Sequence, residues 1–340
     1  MSTPRDTVTD SAAEQAEVLA SHAQYLIATA ARAPSVHNSQ PWRFRVGSQA
    51  IELWCDPRRK VRADPVGREM LVSCGAALFG LRLAVRSLGY QPVVDLLPDR
   101  SQLRLMARVS VGAPAPLNGL EREMLTAVPH RHTHRGPFTP GPLPVGLLAG
   151  LQNDALAEGA TLALVGDGLG YARLARIAAA AARRGDLDPR ARAEIRRWTR
   201  SAASAARDGV PAAALAVSMP AQLRPGRPGR LPQRDFDLGR GIARLPAGGP
   251  PPAATAVLLT FGDRRADWLR AGQALQRLLL HAAGKWVFAS LYTQPLENAV
   301  TRALIREQLA LPGNPQMVLQ LGLADSAAST ARRPPDELAN

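Results

Sequence analysis

The 340-residue chain predicts an α+β protein built from two related halves, and three observations carry that prediction. Helix-like and strand-like patterns both occur along its whole length. One helical pattern recurs. Cys74-Gly75-Ala76-Ala77-Leu78, followed by Leu81 and Leu83, matches Ala271-Gly272-Gln273-Ala274-Leu275, followed by Leu278 and Leu280, at one constant offset. A proline-rich bend at 112–116 marks the boundary between a first half, 1–116, and a second half, 117–340.

Taken in order, residues 12–33 place Leu19, Ala23, Leu26, Ile27 and Ala30 on one stripe of an amphipathic helix, which Pro34 ends. Residues 42–46 alternate as a strand, and a Gly47-Ser48 turn leads to a partner at 51–54, a hairpin. A charged loop over 56–68 precedes a long apolar helix at 69–88, with Gly89 as its C-terminal cap. Strands are expected at 93–97 and 103–109. Beyond the bend, Asn118 caps a short helix ending near Val128. A helix (144–158), a strand (161–165) and two Ala/Arg-rich helices (169–184 and 189–206) follow. Residues 208–252 differ in kind: they are rich in Pro and Gly and end in Pro250-Pro251-Pro252. An ordered loop of that length in a compact domain is usually functional. A buried strand (255–261), helices (267–283 and 296–309) and a last strand (316–323) precede the tail Arg332-Arg333-Pro334-Pro335-Asp336-Glu337.

Composition narrows the function classes. Hydrophobic residues make up 46% of the chain, enough for a sizeable core. No apolar run reaches the roughly 18–20 residues that span a bilayer, and the N-terminus lacks the apolar core of a signal peptide, so no membrane partner is expected. Two cysteines, Cys55 and Cys74, without metal-type spacing, fit a reducing cytoplasm. The formal charge of +14 invites a nucleic-acid reading. Over half of that excess sits in 183–244, where 14 Arg face 6 acids, and no finger, helix-turn-helix or aromatic platform accompanies it. Specific nucleic-acid binding is therefore not expected.

Two stretches carry the chemistry. In an extended segment side chains alternate, so Arg131, Thr133 and Arg135 share one face and His130, His132 and His134 the other. Two guanidinium forks and a hydroxyl suit a phosphate monoester. The histidine face leaves a His-x-His-x-His metal site open, although adjacent Arg charges oppose a cation. A solvated Arg-rich turn is the bland alternative. The second stretch is Pro34-Ser35-Val36-His37-Asn38-Ser39-Gln40-Pro41-Trp42.

Together these residues resemble the nitroreductase superfamily of FMN proteins, whose members open with an Arg-x-Ser-x-Arg/Lys phosphate motif followed by Pro-Ser-x-x-Asn-x-Gln-Pro-Trp. Here the order is inverted, which is similar to the tandem-repeat, Acg-type branch of actinobacterial nitroreductase-like proteins. The resemblance spans about residues 20 to 338. It implies a nitroreductase-like fold arranged as a single-chain pseudo-dimer of two fused halves, with the two repeat helices paired at its centre and 208–252 forming a proline-rich lid. It implies that Pro34, Ser35, Val36 and Asn38 reach from the first half to one FMN held by the second. Arg131, His132, Thr133 and Arg135 would then serve the phosphate and ribityl chain. Thr293-Gln294-Pro295-Leu296-Glu297 is similar to the family's Pro-x-Glu segment beside the ring, through Pro295 and Glu297. Arg332 and Arg333 resemble the basic pair that closes on the phosphate. The implied activity is an FMN-dependent oxidoreductase using NAD(P)H to reduce a small nitro- or quinone-type acceptor. The alternative is an FMN storage or sequestration protein whose lid blocks turnover. A monomeric pseudo-dimer or a weak homodimer is expected. Lys285-Trp286 and Tyr292 depart from the family pattern around the pocket.

Overall fold

The computed structural model describes residues 4–166, 168–201, 203–215, 231–241, 251–324 and 330–339. The chain begins with α1 (Pro4–Ala31), β1 (Trp42–Val46), β2 (Ile51–Cys55), α2 (Arg68–Ser87), β3 (Tyr90–Leu96) and β4 (Leu105–Pro114). The four strands form one antiparallel sheet in the order β1-β2-β4-β3. Trp42, Phe44, Ile51 and Leu53 are fully buried, so the alternation of the hairpin turns its apolar face to the core beneath α1 and α2.

After α3 (Gly119–Ala127), α4 (Leu147–Ala157) and β5 (Thr161–Val165) come α5 (Leu169–Leu187) and α6 (Pro189–Trp198). β6 (Thr199–Arg200) and β7 (Val210–Pro211) form a short parallel pair. β8 (Ala254–Thr260), α7 (Arg265–Gly284), β9 (Val287–Tyr292), α8 (Gln294–Glu297), α9 (Ala299–Gln308), β10 (Asn314–Leu323) and α10 (Pro335–Leu338) complete the chain. A second antiparallel sheet runs β5-β8-β10-β9.

The repeated glycines lie where α2 and α7 cross. A Cβ on Gly75 would sit 2.1 Å from the Leu269 carbonyl oxygen, and one on Gly272 only 2.0 Å from that of Val72. The helix backbones touch there, which no residue with a side chain permits. Leu269 of α7 joins the core under the first sheet, and Val72 of α2 joins the core under the second. The C-terminal tail also returns to the first half: Leu338 is buried in its core and Ala339 bridges Phe44. Although α2 is long and apolar enough to cross a membrane, 78% of that stretch is buried inside the protein.

Several expectations shift. The strand β9 was not foreseen, because five of its six residues are buried and a continuous buried run shows no period of two. The helix expected over 296–309 is interrupted at Asn298, whose carbonyl side chain caps α9 through Val300 N at 2.8 Å. The helix expected over 189–206 stops at Trp198, where Thr199 turns to pair with Val210. Conversely, β4 continues into the proline-rich bend as far as Pro114, and α1 starts earlier, at Pro4. Asn118 does cap α3, in a reciprocal pair with Glu121. Of the segment 208–252, residues 216–230 and 242–250 lie outside the described residues. The described parts make a small core of Val210, Leu215 and Phe236 against Ile195.

Candidate functional site

A cavity, partly open to solvent, lies where the sheets and the long helices meet. It is lined by Pro34, Ser35, Val36 and His37 and by Arg68, Glu69, Val72 and Ser73 at the start of α2. Thr133, His134 and Arg135 follow, then 290–294 at the end of β9, and Gln316 and Met317. Leu215, Gln233, Arg234, Phe236 and Asp237, all from 208–252, close a further side.

The loop 34–40 is held in a conformation that few residues adopt. His37, Asn38 and Gln40 have φ of 53°, 55° and 49°. Asn tolerates this region because its short amide bonds locally. The Asn38 amide donates to the carbonyls of Gly209 and Ala331, each at 3.0 Å. Gln40 donates to the Arg207 carbonyl at 2.8 Å and accepts from the backbone N–H of Arg333 at 2.8 Å. Ser35 accepts from the Gln40 N–H through its hydroxyl at 3.0 Å. The loop is thereby pinned to the start of 208–252 and to the C-terminal tail. Asn38 thus does not line the cavity; it fixes the loop that does.

Beside this loop four arginines converge. Arg131 is buried, and its Nη2 donates to the Arg32 carbonyl at 2.8 Å, while Nε and Nη1 have no partner among the described residues. Arg332 donates to the carbonyls of Ala31, Arg32 and Ala33, the last of α1, where the helix dipole favours a cation. Burial holds Arg131 at about 9, with Arg32 and Arg135 adding repulsion, and holds Arg135 at about 10. Burial lowers Arg332 well below its ordinary value, and Arg131, Arg32 and Arg135 lower it further. None of the four forms an ion pair among the described residues. Of the four, Arg135 alone lines the cavity; the others lie beside it, and uncompensated guanidiniums suit an anion.

No family model matches the chain. A Mycobacterium tuberculosis protein whose given name proposes an NAD(P)H nitroreductase is 34% identical over 318 residues, covering 91% of this chain and 88% of the relative. Another from the same organism, named acg, is 28% identical over 91% of this chain and 92% of its own length. The chain belongs to the Acg-type nitroreductase-like family. A crystal structure of a nitroreductase-like family protein from Bacillus cereus covers 66% of this chain and 96% of its own, at 15% identity and a TM-score of 0.36, too low to argue from.

In this Acg-type chain the alternation of the Arg131 segment is present in the structure. Thr133 bridges Ala289 at the edge of the second sheet, and His134 N–H donates to the Ala289 carbonyl at 2.9 Å. The histidine face is turned inward. His130 stacks on Trp286 at 5.2 Å, His132 packs on Phe288 at 4.5 Å, and His134 stacks on Phe138 at 4.7 Å. His132 donates to the His130 carbonyl through Nδ1 and is held at about 4, chiefly by burial. Its imidazole is a packing group here and does not line the cavity. Among the described residues no three His, Cys, Asp or Glu side chains are grouped to hold a metal.

The opposite end of the cavity is polar. Arg68 pairs with Glu69 at 3.0 Å, and burial, then the facing Glu297, push the Glu69 carboxyl well above the usual carboxylate range. Glu297 is ion-paired with Arg234 of 208–252 and accepts from the Thr293 hydroxyl at 3.1 Å. Pro295 is buried in α8 behind Thr293. Tyr292 lines the cavity and donates its hydroxyl to Gln320 at 2.7 Å, whereas Trp286 is half exposed outside it. Arg333 points elsewhere, to a cleft shared with Arg59, Asp208 and Glu337. Sequence reasoning missed Arg32, His37, Arg68, Glu69, Arg234 and Phe236. Arg32 and His37 flank or interrupt a motif already singled out, and Arg234 and Phe236 lie within 208–252; Arg68 and Glu69 come from a helix start that only the fold brings in.

Proposed function

We propose that the cavity holds one FMN and that the protein is an NAD(P)H-dependent flavin oxidoreductase acting on small nitro- or quinone-type acceptors. The observation that carries this reading is the cluster of Arg32, Arg131, Arg135 and Arg332, free of ion pairs among the described residues and with two Arg131 N–H groups unpartnered. A phosphate monoester supplies both the missing charge and the missing acceptors. When bound, FMN would supply the hydride and electron transfer. The chain's residues hold the phosphate, position the ring against 34–36 and 290–294, and control access. The given names of the relatives support the nicotinamide reductant. On this reading the two sheets are the halves 1–116 and 117–340 of a single-chain pseudo-dimer, and 208–252 is its lid.

One observation favours the storage reading. Leu215, Gln233, Arg234 and Phe236 already line the cavity, and the Arg234–Glu297 pair ties the lid to the polar end. A lid in that position excludes a nicotinamide while leaving the phosphate held. The experiment is the visible spectrum of the purified chain, an FMN titration by fluorescence quenching, and anaerobic reduction by NADPH and by dithionite. One FMN per chain, reduced by NADPH with steady turnover of a nitroaromatic or quinone, is the expected result. Reduction by dithionite alone establishes storage, and absence of flavin binding refutes both.

A further inference from the structure

His37 interrupts the motif around it, and the flavin assignments above leave it unused. It lines the cavity, is 6% exposed, and its Nε2 is buried without a hydrogen-bond partner among the described residues. Leaving a buried polar atom unpaired costs about 1–3 kcal/mol. The backbone adds strain, since φ is 53° and the bonds of Asn38 and Gln40 hold it there. Phe236 from 208–252 meets the ring edge-on at 5.5 Å. Backbone strain and a buried unpaired atom on a residue that lines the cavity indicate a group kept for a ligand.

Its protonation state follows from what faces it. Burial, then Arg234 from 208–252 and Arg135 from the 131–138 segment, push the imidazole well below its ordinary value of 6.5. At neutral pH the ring is therefore uncharged, with one nitrogen a donor and the other an acceptor. A neutral ring adds hydrogen-bonding capacity beside two guanidiniums without adding charge. We propose that His37 is a ring-recognition residue, its Nε2 hydrogen-bonding a heteroatom on the polar edge of the bound flavin ring. This rests on the FMN reading and adds to it a residue that tells a heteroaromatic ring from a purely apolar one.

The test uses the full chain labelled with ¹⁵N-histidine, titrated with FMN and with riboflavin. The His37 resonances, assigned by their loss in His37→Asn, are expected to stay those of a neutral ring from about pH 5.5 to 8 and to shift when FMN binds. Asn is chosen because it tolerates left-handed backbone. His37→Asn should weaken FMN and riboflavin alike, roughly 3- to 10-fold, because the ring is common to both. His37→Gln, which keeps a hydrogen-bonding group at similar reach, should restore most of the affinity. An unmoved His37 signal while fluorescence shows FMN bound overturns the proposal alone. So does a loss confined to FMN, which would place the effect at the phosphate. Failure of the wild-type chain to bind any flavin removes the FMN reading and this proposal with it.

Discussion

Arg131→Met is expected to move ligand-free stability and FMN affinity in opposite directions. The guanidinium is buried, and its depression from the ordinary arginine range to about 9 leaves it protonated at neutral pH, so the depression measures a cost. That cost is about 5 kcal/mol as an upper bound. It is full below about pH 9 and is relieved only as pH rises above about 9 toward the ordinary arginine range, where the unfolded chain binds the extra proton. Against it stands one charge-assisted hydrogen bond, Nη2 to the Arg32 carbonyl, worth about 1.5–3 kcal/mol. Met has similar length and adapts to irregular space. Ligand-free stability should therefore rise by roughly 1–3 kcal/mol. FMN should bind about 10- to 150-fold more weakly, from the loss of one charge-assisted phosphate contact. Urea denaturation of the flavin-free chain at pH 7 reads the first quantity, and fluorescence titration with FMN and riboflavin reads the second. A fall in ligand-free stability, or equal losses for both flavins, would show that Arg131 is a structural clasp on the end of α1 and would refute the phosphate argument.

Gly272→Ala should destabilise the fold by roughly 3 kcal/mol or more by denaturation, because the new Cβ would meet the Val72 carbonyl oxygen at 2.0 Å. In an open helix the same change gains up to about 1 kcal/mol. Gly170→Ala in α5, whose nearest neighbour is 3.8 Å away, is the control and should be neutral or slightly stabilising. Acid should loosen the protein through His132. Its depressed value, about 4 against 6.5, means that the stability of its neutral form is complete above 6.5 and is lost as pH falls toward about 4. The loss amounts to at most about 3 kcal/mol, and His132→Phe should flatten that part of a pH series of urea midpoints.

The pairing of α2 and α7 was implied by the family resemblance, and the repeated glycines Gly75 and Gly272 are what let the two backbones approach closely. The sequence made the two cavity-lining stretches legible because Pro34 and the alternation of the Arg131 segment act locally. The burial of the histidine face was only partly legible: Phe138, which covers His134, lies four residues on, but Phe288, which covers His132, comes from a strand far away in sequence. Nor did the doublet Arg332-Arg333 reveal that its members diverge, Arg332 toward the carbonyls of α1 and Arg333 toward Glu337. Direction depends on the tertiary placement of the tail. Arg68 and Glu69 escaped notice for the same reason: the start of a helix becomes part of a site only when the other half covers it.

The proposal is for one flavin per chain, although one helical pattern recurs in α2 and α7. The repeat offset pairs the cavity-lining turn of α2 with the first turn of α7. Glu69 corresponds to Ala266, Val72 to Leu269 and Ser73 to Arg270. Leu269 lies in the core beneath the first sheet, and the carboxylate just before this turn, Asp263, is taken by the Trp268 indole at 2.7 Å and by Arg302. Gln316, at the polar end of the cavity, also donates to Asp263, at 3.2 Å. The α7 end is thus satisfied by protein contacts. At the α2 end, by contrast, the Glu69 Oε2 and the His37 Nε2 of the neighbouring loop are buried without partners among the described residues. Polar groups left unpaired beside the α2 turn and satisfied at the matching turn of α7 favour a ligand at the α2 end alone.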